Sequence, residues 1–324
     1  MKYSWLWLLL VGLYGLIADA YTKSPRRYRH PPVKGRPTSP IQAKVDSTSV
    51  STSLSGASLG PSLPPWLPAF GTAALGGLLF GSDIGGSSSV TRIVGSGVTE
   101  LGPVDPIQIG QIASSSLLGA TAASAVLIIS GDKNIGRRAE LITAASLFLT
   151  GTAIQSLTPN FSILLLGRIV YGLGIGTAMH VAPLYIAETS PDSLRGKLVS
   201  LKEAAIVGGI VLGYLAGAIF GDTNDWRAVF ETSIPFEALM LLGAAVVPES
   251  PRWLVLRNRP GDAIEAIKNV QGLDEKEATC TVQSMVSSSS SRAVDQYYED
   301  QDSVFANLKK IIDSKYNRQA LIIG

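Results

Sequence analysis

The apolar run LLLGRIVYGLGIGTAMHVAPLYIAE, residues 164–188, contains a single cation, Arg168. A second apolar run, LLFGSDIGG at residues 78–86, contains Asp83, the acid that stands well inside another such run. Charges in apolar segments almost always pair with something or mark an ion or substrate path. A carboxylate left unpaired in a low-dielectric setting takes up a proton, whereas a neighbouring arginine holds it ionised. Asp83 and Arg168 are therefore the natural pair. The residues by themselves leave open a static ion pair that fixes helix register, or an arginine that snorkels to an interface. A second group of charges, Arg137, Arg138, Glu188, Arg195, Glu249 and Arg252, falls at the ends of apolar blocks. There it reads as a charge-assisted cluster or as ordinary cytoplasmic positive charge. No Ser-His-Asp set or paired carboxylates stand out, so an enzyme is not expected. With two histidines and the single Cys280, no internal disulfide, metal site or cofactor is expected either.

The elements that position these residues show in the composition. Hydrophobic residues make up 46% of the 324 but charged residues only 16%, below the usual quarter. The charge is missing in six blocks, approximately Trp66 to Ser88, Ile109 to Ser130, Ala139 to Leu157, Ile163 to Ala187, Val199 to Phe220 and Ala228 to Val247. Each is about the 20 residues needed to cross roughly 30 Å of hydrocarbon. Several are rich in Gly, Ala and Ser, as close packing of membrane helices requires. Gly172, Gly174 and Gly176 belong to this packing rather than to a dinucleotide loop, since they sit in mid-span with no preceding strand. Lys133, Arg137 and Arg138, then Arg195 and Lys197, then Arg252, Arg257 and Arg259 follow the second, fourth and sixth blocks. An even number of spans thus begins and ends on the cytoplasmic or stromal side. No nucleic-acid partner is expected; the bilayer is.

Residues 1–20 resemble a secretory signal, with an apolar Trp5 to Ile17 run before Ala18-Asp19-Ala20. Residues 21–65 carry seven Lys or Arg against Asp46 alone and are rich in Ser and Pro, which predicts disorder and a transit-peptide character. In sequence, the two segments form the address of a plastid bounded by extra membranes. An ordinary signal peptide, an uncleaved anchor and a mispredicted first exon are the alternatives. Residues 66–251 hold the six spans, and residues 252–318 a cytoplasmic or stromal segment. In the latter, Ala263, Ile264, Ile267 and Val270, then Val304, Phe305, Leu308, Ile311 and Ile312, recur at helical spacing. Ser287 to Ser291 and the acidic 295–302 stretch read as a flexible linker between these amphipathic helices.

The motifs GGLLFGSD (76–83), GRR (136–138), GRIVYGLGIG (167–176), PLYIAETSPDSLRG (183–196) and PESPRWL (248–254) together resemble the sugar porters of the major facilitator superfamily, from about Pro68 to Gly324. AMHVAPLYIAETSP and SLKEAAIVGGIVLGY are most similar to the plant and algal subgroup of vacuolar and plastid hexose or xylose transporters. The resemblance implies an all-α membrane protein: a six-helix half of the major facilitator fold, made of two three-helix inverted repeats, with cytoplasmic amphipathic helices. Residues 319–324 are the expected start of a seventh, truncated helix.

The same resemblance implies proton coupling at Asp83 and Arg168, sugar contact at Glu203 and Ile210, and a gating network of Arg137, Arg138, Glu188, Arg195, Glu249 and Arg252. His180 reads as an interhelical hydrogen-bonding residue. The pattern departs from the family at Lys133, where an acid is usual, at Asn134, where an arginine is usual, and at Ser82, where an aromatic is common. Glu203 and Ile210 stand in place of two glutamines; Glu203 can accept from sugar hydroxyls, Ile210 cannot. The expected function is proton-coupled monosaccharide (hexose or pentose) transport by alternating access, present here as an amino-terminal half. Its partners would be a sugar, a proton, the bilayer and the missing carboxy-terminal half or a full-length transporter. A truncated sugar sensor or partner subunit, and an incomplete gene model, are the alternatives. The plastid envelope is the expected membrane, with the vacuolar and plasma membranes as the others.

Overall fold

The computed structural model describes residues 64–299 apart from 98, 100, 131–134, 158–159 and 222, with backbone only at 129–130 and 288–299. The two targeting segments, Lys133, the 304–312 periodicity and residues 319–324 lie outside it. Among the described residues every regular element is helical: α1 Leu67–Gly95, α2 Pro106–Ser130, α3 Arg137–Leu157, α4 Phe161–Thr189, α5 Arg195–Phe220, α6 Trp226–Glu231, α7 Ile234–Val246, α8 Pro251–Leu256, α9 Pro260–Gln271 and α10 Glu275–Glu299. Five stretches are long and apolar enough to cross a membrane: α1, the 106–128 part of α2, α4, α5, and Trp226–Val246, which joins α6 to α7. The remaining block is α3, whose Arg137, Arg138, Glu140 and Gln155 dilute its hydrophobicity.

Helix ends follow local chemistry. Asn160 caps α4 by accepting from the Ser162 N–H at 2.9 Å, and Asp225 and Ser250 cap α6 and α8 in the same way. The sixth span breaks at Thr232 and Ser233 because Pro235 has no N–H to continue the ladder and restricts the residue before it. Gly272 closes α9 in the left-handed conformation at φ 68°, which costs glycine little.

The bundle is zipped by glycine contacts. A Cβ on Gly172 would collide with the Ser116 carbonyl of α2, and one on Gly176 with that of Ala120. Gly174 points the other way, against Phe148 of α3. The three glycines therefore serve two interfaces, as small residues do where membrane helices approach closely. Gly81 and Gly85 of α1 lie against the backbone of Ile206 and Ile210 in α5, and Gly209 of α5 against that of Leu78.

Beyond the bundle, Leu254, Ala263, Ala266, Ile267, Ala278 and Val282 form a separate small core of α8, α9 and α10. Its α9 face matches the predicted 263, 267, 270 periodicity. The predicted linker at 287–291 is helical instead. Ala278 and Val282 anchor the first turns of α10, and serine is a weak helix former rather than a breaker, so the helix runs on to Glu299.

Gly172→Val should overpack the α2–α4 crossing and cost about 1–3 kcal/mol. Gly208, which faces open space, should accept alanine without loss. Thermal unfolding of the two variants in detergent, followed by helical circular dichroism, checks the contrast.

Candidate proton-coupling site and ion-pair cluster

Arg168 lies seven residues into α4, about 10 Å along its axis, and is fully buried. Two i, i+4 pairs face it. From α1, Asp83 Oδ1 accepts from the guanidinium at 3.1 Å and Ser87 Oγ at 2.7 Å. From α2, the Ile112 carbonyl accepts from Nε at 2.5 Å and Ser116 Oγ from the second terminal nitrogen at 2.9 Å. Ser116 in turn donates to Asp83 Oδ2 at 2.7 Å, bridging acid and base. The Phe230 ring, 5.3 Å from the guanidinium carbon, covers it. Residues 83 and 168 thus meet as the sequence predicts, deep enough to exclude snorkelling. Ser87, Ser116 and the Ile112 carbonyl, which complete the shell, are not legible from charge.

One turn beyond Arg168 stands Tyr171, buried and donating to the Leu79 carbonyl of α1 at 3.3 Å. The spans hold a further acid, absent from the sequence reading. Glu237 is fully buried within the sixth span, accepting from Thr152 Oγ1 at 2.7 Å and Ser233 Oγ at 2.5 Å. Asp83 is therefore not the lone acid inside the spans.

About 30 Å further along α4, Glu188 begins the ion-pair cluster. Arg137 Nε lies 3.3 Å from Glu188 Oε2, and Ser250 Oγ donates to the same oxygen at 2.6 Å. Glu249 Oε1 accepts from the Arg138 N–H at 3.0 Å, while the Arg138 side chain donates to the Ala244 and Ala245 carbonyls at the end of α7. Glu140, not singled out by the sequence, adds to the group: it lies 3.9 Å from Arg137, and His180 Nδ1 is 3.2 Å from its Oε2. His180 is thus an interhelical hydrogen-bonding residue, as expected.

Arg195 and Arg252 do not join the cluster. Arg195 is exposed and held by Asp192, three residues earlier, at 2.6 Å, a nearer partner than any acid of the cluster offers. Arg252 is exposed on α8, whose other side carries the buried Pro251 and Leu254. The proposed sugar contacts separate likewise. Glu203 is exposed on α5 and paired with the buried Lys202 at 2.7 Å, while Ile210 is half-buried where α5 crosses Gly85. Among the described residues no group of His, Cys, Asp and Glu could hold a metal ion.

Apolar helices packed through glycine around a desolvated ion pair define a multi-pass membrane protein. The chain belongs to the sugar (and other) transporter family, which matches residues 70–324. Among curated relatives, D-xylose-proton symporter-like 2 of Arabidopsis thaliana is 45% identical over 191 residues, covering 57% of this chain and 37% of the relative. The chloroplastic D-xylose-proton symporter-like 3 of the same plant is 48% identical over 189 residues, covering 57% and 34%. The chain therefore spans little more than a third of these relatives. Among solved structures, the proton:xylose symporter XylE bound to 6-bromo-6-deoxy-D-glucose superposes with a TM-score of 0.61 at 28% identity, over 69% of this chain and 53% of that one.

Truncating a buried pair strands its partner, so Arg168→Ala should destabilise the bundle by about 3–5 kcal/mol. Arg168→Ala with Asp83→Ala should cost less than the sum of the two single changes. Denaturant unfolding in micelles, run as a double-mutant cycle, measures the difference.

Proposed function

We propose that this chain forms the first six-span half of a proton-coupled monosaccharide transporter, with Asp83 as the proton-responsive group and Arg168 as its counter-charge. The observation that carries the reading is the Asp83–Arg168 pair itself, buried and completed by the Ser87 and Ser116 hydroxyls. Proton arrival at Asp83 would remove half of the ion pair and free α4 from α1. The cytoplasmic cluster would act as the opposing latch, holding the ends of α3, α4 and α7 together in one access state. Its pairs around Arg137 are buried, where charge pairing is stronger than at an exposed surface.

The sugar would sit between this half and a second six-span half, on the same polypeptide or another, close to the exposed Glu203. Hexoses and pentoses fit the resemblance equally, and the names of the plant relatives favour D-xylose-like substrates. The plastid envelope is the proposed membrane, supported by the chloroplastic relative and by the order of the two amino-terminal segments.

With the second half supplied, Asp83→Asn should abolish uphill sugar accumulation driven by a pH gradient while leaving equilibrium exchange of labelled sugar within about threefold. Undiminished uphill uptake would overturn the assignment. Residues 1–65 fused to a fluorescent protein should reach the plastid, and residues 1–20 alone only the secretory route; diffuse cytosolic signal from both would exclude the two-part address.

A further inference from the structure

Glu237 has a role to be found that the Asp83–Arg168 pair does not supply. Its Oε1 accepts both hydroxyls, from Thr152 of α3 and from Ser233 at the break in the sixth span. Its Oε2 is buried with no hydrogen-bond partner among the described residues. The groups that face it from each neighbouring element are few. From α4, Tyr171 lies within electrostatic range of it and of the Asp83 carboxylate of α1, and the Tyr171 hydroxyl donates to the Leu79 carbonyl. From α3 it faces the Thr152 hydroxyl, and among the described residues no lysine, arginine or histidine is placed against it.

The first turn of α7 offers an anion some help through its dipole and the two hydroxyls. All of that help converges on one oxygen. An ionised carboxylate would leave Oε2 as a bare anionic oxygen in a dry interior, whereas the acid form leaves only a neutral O–H without an acceptor. The second is far the smaller penalty. Broken membrane helices with polar side chains at the break are also where transporters place coupling ions.

We infer that Glu237 is a second proton-binding site, holding its proton on Oε2 as a carboxylic acid. Tyr171 stands between this acid and the first span, its hydroxyl donating to the Leu79 carbonyl that also accepts from Ser82. Proton binding adds one proton to the carboxylate and needs no other reactant. The inference deepens the proposed transport role but stands on the geometry of this chain alone.

Infrared spectroscopy of the purified 324-residue chain in detergent tests it, because a protonated carboxyl has a carbonyl stretch that an ionised one lacks. The wild type should show such a band at neutral pH, lost in Glu237→Gln and retained in Asp83→Asn. Thr152→Val, which keeps the acid but removes one donor to its carbonyl oxygen, should shift the band to higher frequency. That shift identifies the group even if the glutamine variant fails to fold. Absence of the band in the wild type, or its persistence in folded Glu237→Gln, would overturn the inference and leave Glu237 an ionised helix cap. Loss of the band only in Asp83→Asn would overturn it too, and would separately contradict an ionised Asp83–Arg168 pair. A failure of transport coupling alone would leave the band unchanged.

Discussion

A guanidinium with no access to water must find an acceptor for each of its N–H groups inside the bundle, and the arrangement of four spans follows from that demand at Arg168. Asp83 and Ser87 must lie one turn apart on α1, Ile112 and Ser116 one turn apart on α2, and Phe230 must close the remaining side. Ser116 joins this requirement to the packing. Its hydroxyl bridges Asp83 and Arg168 while its carbonyl rests against Gly172, four residues beyond the arginine. A side chain at 172 would drive Ser116 off the pair, so the glycine seam and the charge site are one constraint seen from two sides.

The helix that carries the arginine also carries the other ion-pair system. Arg168 and Glu188 are both on α4, and the residues between them pack against α2 through Gly172 and Gly176 and against α3 through Gly174. Packing this close on two faces stiffens the helix from Gly172 to Gly176. Pro183 interrupts its ladder near the Glu188 end, which gives that end a place to yield. The proposed proton site and the proposed latch therefore share a mechanical element, with contacts on α1 at one end and on α3 and Ser250 at the other.

What could be read from the sequence divides along physical lines. A charge in an apolar run is conspicuous because desolvation makes it rare, so Asp83 and Arg168 announced themselves, and glycines at short regular spacing announced the seam. Hydroxyl and carbonyl acceptors announced nothing, since Ser116 and Ser87 are ordinary residues of a Gly/Ala/Ser-rich span until the fold brings them to Arg168. Glu237 stayed hidden for a related reason. Its partners, Thr152 and Ser233, are neutral and one is 85 positions away, so a search for opposite charges passes over it. Arg195 misled in the opposite direction, because a span-end arginine looks like a latch member until Asp192, three positions earlier, claims it.

The exposed face of α5 carries the proposed sugar contact, and packing on its opposite side orients it. Gly209, Gly213 and Gly217 press one side of the helix onto α1, which leaves Glu203, Val207 and Val211 on the open side. Lys202 is on the packed side, and a buried ammonium needs a counter-charge. The adjacent Glu203 supplies it across the helix surface at 2.7 Å. The carboxylate that faces the open side is thereby tethered to one orientation by a cation anchored in the α1–α5 seam. An acceptor so tethered can offer its second oxygen to a donor without first losing side-chain freedom, the condition under which a hydrogen bond to a sugar hydroxyl contributes most. The same packing that closes the half thus prepares an acidic group at the proposed sugar interface.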